Sequence, residues 1–141
     1  MKIFFDSIDT EKPEINYKQI SDWISEVIIS NNKKIKELSI IFCNDAYILE
    51  LNKKYLNRHY FTDILTFDYC EKNYVSGDLI ISIETVRSNS KKFRTKYYEE
   101  LYRVIIHGIL HLLGFDDKTE EQQKIIREKE DLYLKIRHLG T

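Results

Sequence analysis

His107 and His111 stand four residues apart in the run His107-Gly108-Ile109-Leu110-His111-Leu112-Leu113-Gly114-Phe115-Asp116-Asp117. On a helix that spacing puts both imidazoles on one face, one turn apart, where a single ion can take both. Gly114 suits the left-handed residue that ends a helix. The chain can then turn back and bring Asp117 to the same ion. Two imidazoles, a carboxylate and an open position describe a catalytic zinc site. Such an ion acidifies its water and polarises a phosphoryl or carbonyl oxygen. The histidine pair alone is weak, because four histidines give an i,i+4 pair by chance in roughly one sequence in twelve. Helix placement, the glycine and the carboxylates add weight. The alternative from these residues is two histidines hydrogen-bonded within an apolar helix, with Asp116 and Asp117 capping the next one. A peptidase of the H-E-x-x-H type is disfavoured: Gly108 occupies the place of the glutamate that serves there as general base.

The elements that must position this run can be read from periodicity. Val104 to Leu113 is the most apolar stretch and belongs to a central helix expected over Glu99–Leu113. A following helix is expected from Glu120 to Ile136. Thr119 is its N-cap, Gln122 completes a capping box, and Ile125, Ile126, Leu132, Tyr133 and Ile136 form its buried face. Upstream, Ile20, Trp23, Ile24, Val27 and Ile28 recur at helical spacing within Asn16–Ser30. Asp45–Leu56 reads as another helix, with Ile48, Leu49, Leu51 and Tyr55 on one side. Glu84–Phe93 is a helix with a thin apolar stripe. Strands are expected at Ile3–Phe5, Glu37–Asn44, Ile64–Tyr69 and Asp78–Ile83, with a turn at Ser76-Gly77 and a hairpin between the last two. Lys33-Lys34-Ile35-Lys36 reads as a solvated loop. The order β-α-β-α-β-β-α-α-α implies one α/β (α+β) domain over residues 1–141, a mixed four-stranded sheet packed with about five helices.

Composition sets the outer limits. The chain has 141 residues, room for one core. Cations and anions nearly balance (22 against 23), and 43% of residues are hydrophobic, so neither a disordered chain nor a globally basic nucleic-acid binder is expected. Only 4 glycines and 1 proline exclude collagen-like and linker-like chains. No apolar run reaches the roughly 18–20 residues of a membrane span, and the N-terminus is not a signal peptide. Cys43 and Cys70 form no CxxC pair and read as two reduced core thiols in a cytoplasmic protein.

HGILHLLGFDD, from His107 to Asp117, resembles the signature H-G-x-L-H-L-x-G-Y-D-H of the YbeY-type endoribonuclease family. Leu51-Asn52 and Thr62-Asp63-Ile64-Leu65-Thr66-Phe67 are similar to its LN…TDVLSF segment. Gly77-Asp78-Leu79-Ile80-Ile81-Ser82 is similar to its GDI-x-IS strand. The matches run in family order over about residues 38–117. The resemblance implies a mixed sheet with helices packed on it, one zinc ion and hydrolytic cleavage of single-stranded RNA. It also implies ribosomal RNA maturation at the 3′ end of the small-subunit RNA, ribosome quality control, and the small subunit as partner. Neither DNA nor a membrane is expected. Asp117 stands where the family has a third zinc histidine, and Asp116 is the competing ligand. Leu56 stands where the family has a functional arginine, for which Arg58, two residues on, is the candidate substitute.

RNA contacts are expected from two cationic groups. Arg87, Lys91, Lys92 and Arg94 lie in a stretch without acids, followed by Tyr97 and Tyr98, which can stack on bases. Lys53, Lys54 and Arg58 form the second group. An ordinary solvated helix face with core tyrosines is the competing reading. Two other functions stay open at this level: a metallohydrolase or peptidase of another substrate class, and a non-catalytic ribosome-associated factor with a structural zinc.

Overall fold

The computed structural model describes residues 2–56 and 62–139, with the side chains of residues 138 and 139 left aside. In chain order the elements are β1 (Ile3–Ser7), α1 (Tyr17–Ser30), β2 (Lys34–Cys43), α2 (Asp45–Leu56), β3 (Ile64–Asp68), β4 (Tyr74–Ser82), α3 (Ile83–Lys92), α4 (Tyr97–Leu112) and α5 (Glu120–Leu139). The four strands form one mixed sheet in the order β1-β2-β4-β3. β1, β2 and β4 are parallel, and β3 runs antiparallel to β4 as the expected hairpin. This is the α+β domain that the element order implied.

β4 is buried on both faces. Leu79 and Ile81 point into the main core with Leu38, Ile40 and Phe42 of β2 and the inner faces of α1 and α4. Ile80, one residue out of phase, joins Leu65, Cys43 and Ile48 of α2 in a smaller core on the other face. α4 is the central helix: Leu101, Val104, Ile105, Ile106, Ile109 and Leu110 are all buried. Each such side chain contributes about 1.5–3 kcal/mol by leaving water, which fixes the helix on the sheet.

Three expectations need correction. Ser76 and Gly77 are not a turn but part of β4, paired with Glu37 and Leu38. The glycine is required there by close approach: a Cβ would collide with the backbone oxygen of Phe67 and sit 3.0 Å from Leu112 Cδ2. Lys34, Ile35 and Lys36 extend β2 instead of forming a loop, because Lys34 and Ile35 find ladder partners in Tyr74 and Val75. On α5, Ile126 and Tyr133 are buried as expected, but Ile125, Leu132 and Ile136 are exposed. The inward stripe is Ile126, Glu130 and Tyr133, so a carboxylate occupies a core-facing position. The capping box at Thr119 is present, with Gln122 N–H donating to Thr119 Oγ1 (3.1 Å) and Thr119 N–H to Gln122 Oε1 (3.1 Å). No helix among the described residues is long and apolar enough to cross a membrane.

Candidate metal centre

The site begins at the C-terminal end of α4. Gly114 has a φ of 101°, its N–H donates to the carbonyl of His111 (3.0 Å), and the N–H of Phe115 donates to that of Leu110 (3.0 Å). This pair of bonds is a Schellman ending, which reverses the chain over the last helical turn. The reversal brings Asp117 back onto the histidine face. Asp117 Oδ2 lies 3.5 Å from His107 Nε2 and 3.4 Å from His111 Nε2, and the two Nε2 atoms are 2.9 Å apart. Asp116 turns elsewhere: its Oδ1 accepts the N–H of Asp117 and its Oδ2 is 3.7 Å from Lys118 Nζ.

These distances test whether the donors fit an ion. Donors held at about 2.0–2.2 Å around a tetrahedral centre stand about 3.3–3.5 Å from one another. Both His–Asp spacings meet that figure, and the His–His spacing needs only a small separation of the rings. The three residues therefore can hold a metal ion. Gly108, one residue after His107, faces away from the donors. A Cβ on it would lie 2.7 Å from Ile64 Cδ1 and 2.8 Å from Leu79 Cδ2, so the position that carries a base in H-E-x-x-H helices is spent here on seating α4 against β3 and β4.

His107 is also held from behind. Its Nδ1 is 2.6 Å from Glu130 Oε2, and Glu130 Oε1 accepts from Arg103 Nη1 at 2.9 Å. Burial lowers the His107 pKa, but the hydrogen bond and charge of Glu130, with Asp117 and Asp63 nearby, prevail and hold it above the ordinary imidazole value. Two cavities meet at His107, Asp117 and Asp63. The narrower, about 270 Å³, reaches Glu100, Arg103 and Glu130 between α4 and α5. The wider, about 610 Å³, runs along β3 and past His111. Burial raises the Asp63 carboxyl above the ordinary range, against the lowering influence of His107 and local hydrogen bonds.

Among the described residues, the wider cavity has an open sheet edge for a wall. Ser82 N–H donates to Asp63 O and Tyr69 N–H to Ser76 O, so Asp63, Leu65, Phe67 and Tyr69 spend their backbone groups on β4. The intervening Ile64, Thr66 and Asp68 turn theirs the other way, and all three line this cavity.

The cationic candidates separate. Lys53 and Lys54 are exposed in the last turn of α2, just before Leu56, which lines the wider cavity. Arg87 stacks over the Tyr97 ring (4.9 Å to its centroid) beside another cavity, of about 310 Å³, near Thr10–Glu14. Lys91, Lys92 and Arg94 are exposed at the end of α3. None of these six lines either cavity at His107. Arg58 lies outside the described residues. Sequence reasoning assigned no role to Asp63, Arg103 or Glu130. Only Asp63 left a signal, as part of the TDIL segment.

An α+β sheet domain whose central helix ends in a His-x3-His pair, met by a carboxylate from the next turn, defines a metal-binding class of fold. Residues 7–137 match the family described as Endoribonuclease YbeY, and the chain belongs to that family. It is 47% identical over 137 residues to Endoribonuclease YbeY of Bacteroides fragilis, covering 97% of this chain and 99% of that protein. It is 48% identical over 136 residues to Endoribonuclease YbeY of Parabacteroides distasonis, covering 96% of each. Among solved structures, the solution structure of TM1509 from Thermotoga maritima superposes with a TM-score of 0.72 at 26% identity, covering 96% of this chain and 88% of that one.

Proposed function

We propose that this protein is a zinc-dependent endoribonuclease that cuts single-stranded RNA, with His107, His111 and Asp117 as the metal ligands. The observation that carries the reading is the convergence of these three donors on the floor of the cavity walled by the β3 edge. A bound zinc ion supplies a Lewis acid for a phosphoryl oxygen and activates water. The chain does the rest. Asp117 brings an anionic donor to two neutral ones. Asp63, which lines both cavities beside His107 and Asp117, is the carboxyl group placed to hold or pass a proton at its Oδ atoms. The outward backbone groups of Thr66 and Asp68 can pair with the edges of unpaired bases, which a duplex has already used. Lys53 and Lys54 take phosphates flanking the cut, and the Arg87, Lys91, Lys92 and Arg94 group serves RNA further away. Arg58 is our candidate for the phosphate at the cut.

The substrate we infer is the 3′ region of small-subunit ribosomal RNA, met on the small subunit in the cytoplasm. Gly108 argues against a peptidase, since it leaves no base at that helix position. The test is cleavage of an end-labelled single-stranded RNA with and without chelator, with zinc added back, beside His111→Ala purified identically. Cleavage that is lost with chelator and in the variant, and returns with zinc in the wild type, is expected. Equal cleavage by wild type and variant would overturn the reading.

A further inference from the structure

Glu130 is a carboxylate where α5 should be apolar. It is 6% exposed, one turn from Ile126 and nearly one from Tyr133, both core residues. A carboxylate buried at such a place is costly unless each oxygen is satisfied by a strong donor. Here both are: Oε1 by Arg103 Nη1 at 2.9 Å and Oε2 by His107 Nδ1 at 2.6 Å. Arg103 is steadied in turn by Asp131 Oδ1, 2.7 Å from its Nη2. A bridge that only tied α5 to α4 would need the arginine alone. The second oxygen is instead aimed at the one ring nitrogen of His107 that faces away from Asp117 and His111.

We propose that Glu130 is a positioning residue for the metal centre: it fixes the ring and the tautomer of His107, and Arg103 fixes Glu130. This rests on the assignment of His107 as a ligand. An ionised carboxylate can only accept, so the hydrogen of a neutral His107 sits on Nδ1. The lone pair is then left on Nε2, the atom that meets Asp117 and His111. The ring cannot swing without breaking a short, part-buried hydrogen bond. Among the described residues, His111 has no carboxylate on its other ring nitrogen, so the arrangement is one-sided. His107 is the preset ligand, and His111 and Asp117 adjust to it.

The test is zinc affinity, measured on the whole protein by competition with a chromophoric chelator, without RNA. Glu130→Gln keeps the size but offers an amide that can turn its NH₂ to His107 and force the wrong tautomer. It is expected to weaken zinc binding by about 10- to 100-fold. Glu128→Gln, exposed on the same helix, is expected to bind zinc as the wild type does. Melting of the metal-free proteins reports any loss of the α4–α5 bridge separately. Zinc affinity within twofold of wild type in Glu130→Gln, whatever its melting temperature, overturns the proposal. Should that variant not fold, long-range ¹H–¹⁵N spectra of metal-free wild type, taken at a pH where the ring is neutral, decide. A hydrogen on His107 Nδ1 supports the proposal, and a hydrogen on Nε2 overturns it. A wild type that binds no zinc would instead remove the ligand assignment on which the proposal stands.

Discussion

The two walls of the cleft are built to opposite rules. On the α4–α5 side, the charged groups around His107 are paired with one another: Glu130 with His107 and Arg103, Arg103 with Asp131, and His107 and His111 with Asp117. On the β3 side, Thr66 and Asp68 turn their backbone donors and acceptors into a cavity more than twice as large. A wall whose polar groups are satisfied internally holds its shape and can preset ligands. A wall with groups left over has something to offer a substrate. The difference suggests a division of labour, with chemistry held on the helices and the strand of RNA received on the sheet edge.

That division can be broken from either side. The largest effect is expected from Asp117→Ala, which removes a ligand from the closed wall only. Cleavage should fall more than about a hundredfold, beyond the usual loss from a supporting residue. Retention of single-stranded RNA on a filter should stay within about threefold of wild type, and an equal loss of both would show that the walls are not separable. Gly108→Ala attacks the seam between them. Its new methyl meets Ile64 Cδ1 and Leu79 Cδ2 at under 3 Å. Overpacking of that kind costs about 1–3 kcal/mol, offset by up to about 1 kcal/mol of helix propensity. A lower urea midpoint is expected, and an unchanged one would mean that α4 is not seated as closely as described. The smallest effect is expected from Thr66→Pro, which deletes one outward N–H and leaves the ladder to β4 intact. Loss of one hydrogen bond, about 0.5–1.5 kcal/mol, should raise KM for single-stranded RNA by about two- to tenfold with kcat little changed. A fall in kcat alone would place the edge in the chemistry instead.

What could be read from sequence follows the same line between local and distant. His107, His111, Gly114 and Asp117 lie within eleven residues, and a helix followed by a glycine turn is enough to bring them together. The sheet and the element order were legible because Ile20 to Ile28 and Leu79 to Ile81 carry strong periodic or continuous apolar signals. Glu130 was not, since a glutamate in a charged helix looks solvent-facing until its partner on α4 is known. The same miss rotated the expected face of α5 toward Ile125, Leu132 and Ile136. Gly77 was read as a turn because the demand for glycine comes from Phe67 on the neighbouring strand, which no local pattern records. The two cationic groups looked alike in composition, and only the fold shows that one sits in the helix whose end, Leu56, reaches the cavity wall while the other lies along α3.

Trp23 is the single tryptophan of the chain. It is buried, and its Nε1–H donates to the carbonyl oxygen of Tyr133 at 2.9 Å. Tyr133 lies three residues beyond Glu130 on α5, so the protein carries a native optical reporter on the helix that braces its metal ligand. Loosening of α5 exposes that indole and shifts its emission to longer wavelength, whereas loss of the ligands themselves leaves the indole in place. One fluorescence spectrum can therefore tell a weakened site from a detached brace without any label.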